Sequence, residues 1–69
     1  MSHIFKKIEH HKAIAAHLEE AAKRHREAAK HQEAGDYDES TNSAVQAYHH
    51  MELAAKAQTE MLKHYSFTS

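Results

Sequence analysis

The sequence predicts an all-α fold: an antiparallel helical hairpin of two long amphipathic helices, expected to dimerise into a four-helix bundle. Three observations carry this. The 69 residues include no proline and a single glycine, so the chain lacks the punctuation that strands and long loops need. Apolar and small residues recur at alternating spacings of four and three along both halves, the period of a helical seam. The one glycine, Gly35, falls between the two halves.

The first helix is predicted over residues 3–34. Ile4, Ile8, His11, Ala15, Leu18, Ala22, His25, Ala29 and Gln32 form an unbroken series. In heptad terms Ile8, Ala15, Ala22 and Ala29 occupy position a, and the others position d. Ile14, Ala21 and Ala28, at g, widen the apolar face on one side. Lys6 and Lys7 oppose the helix dipole at this end, so fraying is expected there.

The turn is placed at residues 35–36. Gly35 suits the left-handed residue that ends a helix, and Asp36 can cap the next one. Glu39 stands three residues on, as in a capping box, and Asp38 favours the positive helix end.

The second helix is predicted over residues 37–65, with Ser66–Ser69 loose. Its seam runs Tyr37, Thr41, Ala44, Tyr48, Met51, Ala55, Gln58, Leu62 and Tyr65, with Ala47, Ala54 and Met61 at g. A connection this short forces the helices antiparallel. Leu18 is then expected to meet Met51, Ile8 to meet Leu62 and Ala22 to meet Tyr48. Such a single-domain hairpin buries little, and chains of this size usually need a disulfide, a metal or a partner. Cysteine is absent, which excludes disulfides. With Ile14, Ala21, Ala28, Ala47, Ala54 and Met61 left on one edge, a homodimer across that edge is expected.

Nine Lys/Arg against ten Asp/Glu give no basic face for nucleic acid. The first helix is the more basic and the second the more acidic, which favours their pairing. No apolar run is long enough to span a membrane, and the amino-terminal residues do not read as a secretory signal. A cytoplasmic location follows by default.

Histidine is the chemical signal, with nine in 69 residues. His11 and His25 sit at d. His3, His10, His17 and His31 share position c on the first helix; His50 and His64 share it on the second, with His49 at b. The antiparallel register sets His3 beside His64, and His17 beside His49 or His50. Glu52 and Glu60 lie one turn from His49 and His64 on their own helix, and Glu20 one turn from His17. Cross-helix imidazoles with a neighbouring carboxylate suit zinc, copper, nickel or cobalt. The candidate metal ligands are therefore His3, His64, His17, His49, His50, Glu52 and Glu60. The Glu-x-x-His motif of di-iron bundles is missing, and no Ser, His and Asp are ordered into a nucleophile elbow, so no enzyme is expected. Protonating every histidine would move the formal charge from −1 to +8, so acid is expected to weaken a dimer flanked by them.

Two resemblances bear on the chain. Ala34-Gly35-Asp36-Tyr37-Asp38-Glu39 resembles the inter-helix turn of tetratricopeptide repeats, although the helices are about twice the length of those repeats. His25-Arg-Glu-Ala-Ala-Lys-His31, the Gly35-Asp36 hinge, Ala47-Tyr-His-His50 and Ala54-Ala-Lys56 resemble the small histidine- and alanine-rich helical proteins of proteobacteria. That resemblance implies a bacterial helical hairpin and assigns no activity. The functional expectation is a non-enzymatic protein binding a divalent transition metal. The competing expectation is a structural or protein-interaction module for an unknown partner, its histidines incidental or pH-sensing.

Overall fold

The chain reverses once, at Gly35. The computed structural model describes the backbone of residues 2–68 and the side chains of residues 7–63. Gly35 has φ 82°, where a Cβ costs about 1–2 kcal/mol. Nothing lies near the place a Cβ would occupy, so the need for glycine is conformational rather than steric.

The Gly35 N–H donates to the Gln32 carbonyl at 3.1 Å and the Asp36 N–H to the His31 carbonyl at 2.8 Å. These two bonds satisfy carbonyls that the helix end would otherwise orphan. The Asp36 carbonyl in turn accepts from the Ser40 N–H at 2.9 Å. One residue thus closes the first helix and opens the second. Lys30 and His31 in the last turn, and Asp38 and Glu39 in the first, complement the two helix dipoles.

The helices are α1 (Ser2–Glu33) and α2 (Tyr37–Thr68), packed as an antiparallel hairpin measuring 51 × 17 × 12 Å. The α2 backbone stays helical to Thr68, three residues past the Tyr65 end read from the seam. No glycine or proline stands there to stop it.

The seam is not the one the a and d positions suggest. The buried apolar residues are Ile14, Ala21, Ala28, Ala47, Ala54 and Met61, the six placed on the outer edge by the sequence reading. Half-buried His10, His17, Arg24 and His31 complete the contact face of α1, and buried Ser43 with half-buried Ser40, His50 and Ala57 that of α2. The predicted contacts Leu18–Met51, Ile8–Leu62 and Ala22–Tyr48 are correspondingly absent from the buried seam. Leu18 is 39% exposed, Met51 47% and Ile8 44%; Ala22, Tyr48 and Leu62 are exposed too. His11 and His25, expected to face the other helix, are also exposed.

The physical reason is side-chain size. The observed seam is the predicted one displaced by a single residue on both helices: 14, 17, 21, 24 and 28 in place of 15, 18, 22, 25 and 29. Both sets share one period, but the buried set is lined by Ala21, Ala28, Ala47 and Ala54. Interhelical distance follows the side chains at the contact, so alanines allow a closer approach than Leu18, Tyr48 and Met51 would. Ile14 and Met61, too large for the alanine stretch, meet Ala54 and Ala57 toward the open end. The dimer edge expected at g is therefore consumed inside the hairpin.

Candidate interaction face and histidine seam

Rotating the seam by one residue decides what is left outside. At 100° per residue, the a and d positions lie roughly 110° around each helix from the centre of the buried g and c positions. Because α2 runs opposite to α1, that rotation has the opposite sense in space. Both a/d stripes consequently fall on the same broad side of the hairpin. Ile8, Leu18, Tyr48, Met51 and Leu62 are exposed there. None of the nine Lys/Arg or ten Asp/Glu residues occupies an a or d position on either helix. The opposite broad side takes the b and f positions, with Glu20, Lys23, Glu27 and Lys30 on α1 and Lys56, Glu60 and Lys63 on α2, beside the half-buried Leu53. The hairpin as a whole is amphipathic.

Polarity along this outer stripe is confined to groups that settle locally or carry no fixed charge. The Thr41 hydroxyl donates to the Tyr37 carbonyl at 3.0 Å, one turn back. His11, His25, Gln32 and Gln58 complete the uncharged set. At the hinge, Gly35, Asp36, Tyr37, Asp38 and Glu39 line an open groove, and its carboxylates sit at the start of α2 where they complement the helix dipole.

The histidines divide differently from the expected stripe. His10, His17, His31 and His50 are half-buried within the hairpin seam itself. His17 and His50 meet across the helices with ring centroids 5.8 Å apart and planes tilted by 30°. His49 lies 5.9 Å from His50 on the same helix. His50 Nδ1 is buried with no hydrogen-bond partner, as are Glu20 Oε2 and Arg24 Nε on α1. Arg24 instead pairs through Nη1 with Glu27 Oε1 at 3.1 Å. The sequence reading singled out neither Arg24 nor its unpartnered Nε. Its signal was the c position Arg24 shares with His17 and His31.

Of the predicted metal ligands, the fold brings His17 and His50 together, while exposed His49 touches its own neighbour His50. The His3–His64 pair lies outside the described residues. Glu52 sits at e, on the flank of the apolar side, and exposed Glu60 at f on the opposite one. Among the described residues, no three His, Asp or Glu side chains converge on a common point. None of their helices is long and apolar enough to cross a membrane. Comparison with family models, curated proteins and solved structures finds no match for this chain.

Proposed function

We propose that this chain is a non-enzymatic protein-interaction module that works through the uncharged broad side of its hairpin. One observation carries the reading. Two a/d stripes, free of Lys, Arg, Asp and Glu, lie side by side on the outside and hold Ile8, Leu18, Tyr48, Met51 and Leu62. Scattered exposed apolar residues are ordinary, but a continuous patch rimmed by charge marks a binding surface. The burial of alanines in the seam supports the same reading, since it turns the larger anchors outward.

A photo-reactive benzophenone side chain placed at Leu18, and separately at Lys23 on the opposite broad side, tests this in cells producing the chain. Covalent protein adducts are expected from Leu18 and not from Lys23. Equal yields from the two positions, or none from Leu18, would contradict the reading.

The His17–His50 pair favours a second reading, divalent metal binding. Two imidazoles on one tetrahedral zinc, with Zn–N near 2.0–2.1 Å, place their ring centroids about 5 Å apart. The observed 5.8 Å is within a small side-chain adjustment of that. An unpartnered buried His50 Nδ1 supplies a lone pair for the ion, with water completing the set. Zinc, copper, nickel or cobalt would suit these donors. Native mass spectrometry with added zinc is expected to show one ion per chain, lost in His50→Ala. Non-saturating uptake that survives His50→Ala would exclude the pair.

A further inference from the structure

We infer that Glu20 is the third protein ligand of a zinc ion held between His17 and His50, with one position of the ion left to water. This rests on the metal-binding reading of that pair and puts a carboxylate in place of one of its waters.

Two unmet polar atoms point to the set. His50 Nδ1 and Glu20 Oε2 are both buried without a hydrogen-bond partner. Buried polar atoms are nearly always paired, so each orphan asks for a water, an ion or a ligand. The ordinary partner of Glu20 on a helix is Arg24, four residues on. Arg24 turns instead to Glu27 and binds its Oε1 through Nη1 at 3.1 Å. Glu20 Oε2 is left with no donor, and a cation is what it lacks.

His17 links the two orphans. Its ring meets His50 across the helices, with centroids 5.8 Å apart. Glu20 stands one turn further along α1, about 4.5 Å along the axis and about 60° around it. The Cβ atoms of His17 and Glu20 are then about 5–6 Å apart, on the flank of the seam that opens to the b/f side. As the side chains stand, the three do not converge on one point. The Glu20 side chain has three torsions through which its carboxylate can swing to the pair, so the ion requires a rotamer change rather than a helix movement.

Two imidazoles, one carboxylate and a water make a four-coordinate zinc set, and the carboxylate supplies the negative charge that imidazoles lack. Leu53 fits the same placement. It is half-buried at f on α2, one turn from His50, where Lys56, Glu60 and Lys63 otherwise set the character of that side. An apolar side chain on this flank limits water and strengthens the attraction between ion and carboxylate.

Zinc titration calorimetry on the full chain, with circular dichroism to check the helicity of each variant, tests the assignment. The wild type is expected to bind one zinc, and Glu20→Gln to weaken it at least about tenfold. Glu20→Asp keeps the charge but draws the oxygens back, and is expected to fall between the two. Glu19→Gln removes the same charge from the same turn at an exposed e position, and is expected to stay within about twofold of the wild type. Cobalt in place of zinc reads the donor set, and its visible spectrum should change in Glu20→Gln and not in Glu19→Gln.

One zinc that is lost in His50→Ala but indifferent to Glu20→Gln would overturn Glu20 as a ligand and leave the histidine pair standing. Equal weakening by Glu19→Gln and Glu20→Gln, or an unchanged cobalt spectrum in Glu20→Gln, would also overturn it. Uptake that does not saturate, or that survives His50→Ala, would remove the metal reading itself.

Discussion

Ala47→Leu is expected to lower the thermal midpoint of the hairpin by about 10–20 °C. Ala47 is 0% exposed and Ala54 1%, so neither site has room for three further carbons. Overpacking a filled interior costs about 1–3 kcal/mol, and this site belongs at the upper end because two backbones, rather than flexible side chains, must separate. In a domain of this size each kcal/mol moves the midpoint by about 4–8 °C. Ala16→Leu makes the same chemical change at an exposed position and is expected to stay within about 0.5 kcal/mol of the wild type. Thermal denaturation followed by circular dichroism reads both. Equal midpoints for the two variants would contradict a seam built on Ala47.

Ile14→Ala is expected to destabilise the hairpin by about 2–4 kcal/mol, against less than about 1 kcal/mol for Ile8→Ala in the isolated chain. Ile14 is buried and packs with Ala54 and Met61, whereas Ile8 is 44% exposed. The two isoleucines differ in a second respect. Ile14 lies inside one chain, so its loss should act equally at every protein concentration. Ile8 lies on the outer apolar side, so its effect should depend on whatever partner covers that side. Urea denaturation at two well-separated concentrations distinguishes them. A concentration-dependent loss for Ile14→Ala, or identical losses for both variants, would reverse the assignment of inside and outside.

The hairpin itself was legible in the sequence. Gly35 and Asp36 announced the reversal: a left-handed residue ends the first helix, and the Asp36 carbonyl opens the second by accepting from the Ser40 N–H. Which face turns inward was not legible from periodicity. Positions 14, 17, 21, 24 and 28 and positions 15, 18, 22, 25 and 29 share one repeat, offset by a single residue, so a pattern of fours and threes fits both. Hydropathy favours the set containing Leu18 and Met51. Close packing favours the set containing Ala21, Ala28, Ala47 and Ala54, and close packing wins. The clue was the run of alanines at the same heptad position on both helices, first read as an outer edge.

The histidine pairing survived the rotation for a geometric reason. His17 and His50 share position c on antiparallel helices, so the choice of a neighbouring stripe altered their burial without separating them. The prediction for His11 and His25 failed because d moved outward together with a.

The interaction reading depends on Ala21, Ala28, Ala47 and Ala54 facing in and Ile8, Leu18, Tyr48 and Met51 facing out. Methyl NOE spectroscopy on isotopically labelled full-length chain, at dilution sufficient to favour single hairpins, tests that arrangement most directly. Cross-helix contacts are predicted from the Ile14 methyls to Ala54 and Met61, with none between Leu18 and Met51. Strong Leu18–Met51 contacts in the dilute sample, with Ile14 silent toward α2, would contradict it.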